Sequence, residues 1–131
     1  MSRYRQIILW VSVLLLLAPL AAAQTYTVTD LGTFPGGSVS QGQAINRQGQ
    51  VAGYARFSDY NAHGFIWNVR LGLQNLPSIP PQEHFGSAQA INSYGVVAGY
   101  SVYNEIQSEH AVIWVHARLL DLGTLQGGTI S

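Results

Sequence analysis

Two kinds of hydrophobic pattern divide this chain. Residues 7–17 are almost wholly apolar, and no later stretch is long or apolar enough to span a membrane. From Gln43 onward, apolar residues come in short runs broken by glycine, asparagine and proline, which is the pattern of strands. Residues 43–46 and 51–55 flank Asn46-Arg47-Gln48-Gly49, a tight-turn sequence in which asparagine opens the turn and glycine can take positive φ. A hairpin is predicted there. Gly53, inside its second strand, predicts close approach by a neighbouring backbone or a bulky ring. A third strand is predicted over residues 63–67. Its period of two sets His63, Phe65 and Trp67 on one face and Gly64 and Ile66 on the other. Both faces are apolar or small, so both are expected to be covered. Residues 73–76 supply a fourth strand.

This set of strands occurs twice. Gln43-Ala44-Ile45-Asn46 returns 46 residues later as Gln89-Ala90-Ile91-Asn92, and Val51-Ala52-Gly53-Tyr54 returns at the same offset as Val97-Ala98-Gly99-Tyr100. Asn92-Ser93-Tyr94-Gly95 repeats the turn. His63-Gly64-Phe65-Ile66-Trp67 returns 47 residues later as His110-Ala111-Val112-Ile113-Trp114, which marks one inserted loop residue, and residues 119–122 repeat the fourth strand. Asp30-Leu31-Gly32-Thr33 with Gly36-Gly37 returns as Asp121-Leu122-Gly123-Thr124 with Gly127-Gly128, while the middle copy degenerates to Asn75-Leu76-Pro77-Ser78. Such periodicity is the signature of repeat architecture, and four antiparallel strands in about 46 residues match a β-propeller blade.

The expected fold is therefore all-β, with antiparallel four-stranded, propeller-like blades following an N-terminal signal helix. Repeat 1 covers about residues 30–76, repeat 2 about 77–122, and a partial third about 121–131. Residues 26–31 are expected to form the fourth strand of a blade that lacks its first three. Propellers have about four to eight blades, so two plus a partial third leave the ring unclosed. Repeat arrays normally carry terminal caps, and the expectation is a truncated product. An open stack of two sheets and an assembly of several chains are the alternatives.

The first apolar run reads as an export signal. Arg3 and Arg5 precede it, Pro19 ends it, and Ala21-Ala22-Ala23 supplies the small residues of a signal-peptidase site. Cleavage is expected after Ala23, giving a secreted, extracellular or periplasmic protein. The alternative, an uncleaved anchor, needs about 20 apolar residues. Without Arg3 and Arg5, four arginines face six carboxylates, a net charge of −2, and the chain has no lysine. That surface lacks a basic footprint for nucleic acid or anionic lipid. The absence of cysteine excludes disulfides and thiol chemistry.

These blocks resemble the bacterial extracellular HAF repeat family. That family has a D-L-G-T-L-G-G start, an A-x-x-I-N-x-x-G-x-V-x-G hairpin and an H-A-F-x-W strand. The matching residues are Asp30-Leu31-Gly32-Thr33 with Gly36-Gly37; Ala44, Ile45, Asn46, Gly49, Val51 and Gly53; and His63 through Trp67. In the second copy they are Ala90, Ile91, Asn92, Gly95, Val97, Gly99 and His110 through Trp114. Phe34-Pro35, the Pro80-Pro81 segment, Gly64 and Val112 depart from the pattern. The resemblance implies secreted or surface proteins with propeller-like repeats and no common activity.

Few residues invite chemistry. His63 and His110 recur at one repeat position. A recurring histidine more often fastens its repeat by bonding to neighbouring backbone than it binds metal, and no second ligand recurs beside them. Asn46, Gly49, Gly53, Trp67, Asn92, Gly95, Gly99 and Trp114 are likewise read as structural repeat positions. Glu83 and His84 lie in a proline-rich loop, but adjacent residues do not face each other as an acid–base pair must. Tyr60, Tyr94 and Tyr103 fall in loops or turns, where an exposed ring could stack on a sugar or anchor a protein, and the candidates among them are Tyr60 and Tyr103. Together with Glu83 and His84 they form the candidate ligand surface. No cofactor, metal or catalytic motif is expected. The expected function is a secreted, non-enzymatic binding or interaction scaffold with a protein or glycan partner, able to self-associate through open repeat ends. A glycan-binding or glycan-processing propeller at the cell surface is the alternative, and a fragment with no independent function is a third reading.

Overall fold

The computed structural model describes residues 23–58, 61–80, 85–102 and 108–125. The segment up to Ala22 expected to be the signal, the tyrosines at 60 and 103, the Glu83-His84 pair and the glycine pair at 127 and 128 lie outside them. The described residues hold eight strands and no helix, arranged as two antiparallel four-stranded sheets. The first comprises β1 (Ser40–Ile45), β2 (Val51–Arg56), β3 (Ala62–Asn68) and β4 (Gly72–Asn75); the second comprises β5 (Gly86–Ile91), β6 (Val97–Val102), β7 (Glu109–Val115) and β8 (Arg118–Asp121). Each sheet is a meander, with every strand pairing its sequence neighbour. The two sheets do not close into a barrel.

Turn chemistry sets each register. Gly49 and Gly95 have φ of 75° and 76°, and their amides donate to the Asn46 and Asn92 carbonyls, both at 3.1 Å. The side-chain oxygen of Asn46 accepts from the amides of Gln48 and Gln50, and that of Asn92 from the amides of Tyr94 and Val96. Beyond the turns, β1 and β5 carry matching bulges, Gly42/Ala44 and Ala88/Ala90. A Cβ at Gly53 or Gly99, opposite these bulges, would fall on the carbonyl oxygen of Gln41 or Ser87. The close neighbour expected at both glycines is thus backbone.

Several boundaries differ from those predicted. β1 begins at Ser40 because Ser40, Gln41 and Gly42 pair with Ala55, Tyr54 and Gly53. Residues 26–31 form no strand, and Val28 is 95% exposed. The equivalent fourth strands, β4 and β8, hydrogen-bond to the third strand of their own sheet; no described third strand precedes residue 26. Lone extended backbone has nothing to pair with.

The sheets stack head to tail. Ala52, Ile66 and Leu76 on one side of the first sheet pack against Val97, Val112 and Trp114 on the histidine-bearing side of the second. Like surfaces do not meet; each repeat offers one side to the repeat before it and the other to the repeat after. At the joint, Asn46 Nδ2 donates to the Asn92 carbonyl at 3.0 Å, and Trp114 Nε1 donates to the Pro77 carbonyl at 2.7 Å. The histidine-bearing side of the first sheet has its own cluster of Phe34, Ala55 and Phe65. Phe34 reaches it through a turn over Phe34-Pro35-Gly36-Gly37, with proline at the second position, φ of 75° at Gly36, and the Gly37 amide donating to the Phe34 carbonyl. Coverage on both sides therefore holds for β3, where His63, Gly64 and Phe65 are all buried. It fails for β7, where Ala111 is only half-buried at the position of the buried Gly64.

Candidate functional site

The turns at one end of the sheet stack border a partly open pocket of about 300 Å³ between the two repeats. That volume lies at the lower end of the range for small-molecule sites. Gln50 and Gln74 bring amides from the first repeat, Tyr94 and His116 bring polar rings from the second, and Leu76 and Trp114 supply apolar wall. Tyr94 is exposed because it occupies a turn position whose backbone is already held by Asn92. His116 and Ala117 form a two-residue link between β7 and β8, with φ of 51° and 61°. Two positive-φ residues match the tight hairpin turn that usually selects asparagine and glycine. The first repeat avoids that conformation with a longer link, where Asn68 accepts from the amides of Arg70 and Leu71 and Gly72 takes φ of 69°.

The recurring histidines differ in surroundings. His63 is buried edge-on to Phe57, with ring centroids 4.7 Å apart, and Phe57 stacks on Phe34 at 4.3 Å. His110 Nδ1 lies 3.0 Å from a carboxylate oxygen of Asp121, across the β7–β8 pair. Burial alone would raise the Asp121 carboxyl. The hydrogen bond from His110, the Gly123 amide and the charge of His110 outweigh it and hold the group below its ordinary value. Asn75 stands where the first repeat would need that aspartate. Asp30 and Asp121 both cap turns, accepting from the amides of Gly32 and Gly123. Tyr100 is shifted up by burial, with Glu109 and Tyr54 adding to the effect. Among the described residues no group of three or more histidine, aspartate or glutamate side chains is placed to hold a metal ion.

The other repeat positions are joints and walls. Asn46 and Asn92 shape the hairpins, Gly53 and Gly99 admit the bulges, and Trp114 is buried while Trp67 is half-exposed. Of the loop and turn tyrosines at 60, 94 and 103, only Tyr94 lies among the described residues, and it lines a cleft that no single motif encodes. One signal for it lies in the sequence. The repeat offset falls from 47 at Trp67/Trp114 to 46 at Leu73/Leu119, which marks the shortened turn holding His116. Gln50 and Gln74 carry no such mark. Comparison with protein families, characterised proteins and solved structures returns no match to this chain.

Proposed function

We propose that the chain is an exported, non-enzymatic binding scaffold of the HAF-repeat kind, working through the cleft between its two repeats. The supporting observation is the pocket itself: Gln50 and Gln74 from one repeat and Tyr94 and His116 from the next line it beside Leu76 and Trp114. That composition suits a ligand held by hydrogen bonds and ring contact. A titration followed by backbone NMR tests this reading. A cleft ligand should shift the amides of residues 93–95 and 116–117 together, and Tyr94→Ala should weaken it about tenfold, as loss of an aromatic anchor does. Turnover on a hydrolase panel, abolished by substitutions in the cleft, would overturn the non-enzymatic assignment.

The presence of Tyr94 with Gln50 and Gln74 in one pocket lining favours a second reading, a glycan ligand, because sugars present hydroxyls at their edges and C–H faces to aromatic rings. Neutral oligosaccharides are the probes. A glycan array with no hit from folded protein removes this reading and leaves the first standing.

A further inference from the structure

The outer side of the second sheet copies a surface that the first sheet keeps buried. Ala98, Ile113 and Leu122 occupy the repeat positions of Ala52, Ile66 and Leu76. Leu76 is 2% exposed and lies in the core between the sheets, whereas Leu122 is 57% exposed. The two leucines are held alike: the Leu76 amide donates to the Gly64 carbonyl at 2.8 Å, and the Leu122 amide to the Ala111 carbonyl at 3.0 Å. The surface is therefore built to the same pattern, and among the described residues no sheet covers it.

Its complement is present at the other end of the stack. In the second repeat, Ile91, Val97 and Trp114 pack against the first sheet. Their counterparts are Ile45, Val51 and Trp67. Ile45 is 69% exposed, while Val51 and Trp67 are half-buried and pack at the edge of the cluster formed by Phe34, Ala55 and Phe65. The polar bond of the joint also has open halves. Asn46 Nδ2 donates to Gln50 Oε1 as well as to the Asn92 carbonyl, while Asn92 uses its side-chain oxygen within its own turn and its Nδ2 makes no hydrogen bond to a described residue.

We infer that a second copy of this chain docks its Ile45/Val51/Trp67 surface on Ala98/Ile113/Leu122, repeating between chains the joint that links the two sheets within one. Joints between unlike surfaces propagate, and they close into a ring when the rotation permits. With two sheets per copy, rings of about two to four copies reach the four to eight blades of known propellers.

Ile45→Glu and Leu122→Glu test the joint from its two sides. Both side chains are exposed, so neither substitution disturbs the fold of one chain, which circular dichroism verifies. Light scattering after size exclusion, on protein made from the whole coding sequence, should show a discrete species of two to four copies at micromolar concentration. Each variant alone should run as a monomer, and an equimolar mixture should form a heterodimer through its one intact pair of surfaces. Monomeric wild-type protein would overturn the inference and leave the surface to a further repeat or an unrelated partner. Assembly that survives either substitution, or no heterodimer on mixing, would equally refute it.

Discussion

Gly53 and Gly64 lie one strand apart yet are glycine for different reasons. At Gly53 a Cβ would fall on the Gln41 carbonyl oxygen, part of a bulge that cannot move without breaking the β1–β2 register. At Gly64 a Cβ would meet the Ala88 amide nitrogen at 3.4 Å, an ordinary contact, and the second repeat has Ala111 at that position. Gly53→Ala should therefore cost on the order of 3 kcal/mol, the size of overpacking in a rigid site. Gly64→Ala should gain about 0.5 kcal/mol by restricting the unfolded chain. Urea denaturation of both variants decides the matter, and equal losses would contradict the assigned roles. Neither position is marked by φ; packing alone separates them.

At the scale of elements, the β7–β8 pair carries a charge that β3–β4 lacks. Asp121 joins His110 and the Gly123 amide, and its carboxyl is held below the ordinary range. A carboxylate with a lowered folded-state pKa contributes stability that is present above its unfolded value and lost as pH falls through the folded one. Asp121→Asn keeps an acceptor for Gly123 and removes the charge, reproducing Asn75 of the first repeat. The variant should be less stable than wild type near pH 6 by under about 1 kcal/mol, since the pair is partly solvated. The difference should be lost as pH falls through the lowered folded-state value of Asp121 and shrink in high salt. Thermal melts across that pH range measure it, and a gap that persists in acid would assign the effect to packing.

At the scale of the whole molecule, the two described sheets share one joint, and the energetics follow from which copy of a position faces it. Leu76→Ala removes a side chain enclosed between the sheets, so it should cost about 2–5 kcal/mol. Leu122→Ala, the same change one repeat on, should stay within about 0.5 kcal/mol in dilute, monomeric protein because its side chain faces solvent. Chemical denaturation at low concentration compares the two. Matching losses would mean that the second sheet's outer side is covered within a single chain. The same asymmetry explains why residues 26–31 stay unpaired: they repeat the pattern that leads into Gly32, but no described third strand lies beside them.

Local signals were legible in the sequence. Asn46-Arg47-Gln48-Gly49 and its copy specify the hairpin turns because asparagine accepts from the turn amides and glycine tolerates positive φ. Alternation around His63 and Trp67 specifies strands with distinct sides, and the 46-residue period specifies two like sheets. Tertiary structure decided what those sides touch. Identical motifs meet different neighbours: Trp114 is enclosed by the first sheet, Trp67 stands half-open, His110 finds Asp121, and His63 finds Phe57. The Gln50, Gln74, Tyr94 and His116 cleft exists only where two repeats stack. A sequence repeat encodes equivalent surfaces, but burial belongs to pairs of surfaces, and pairing is settled only when the sheets pack.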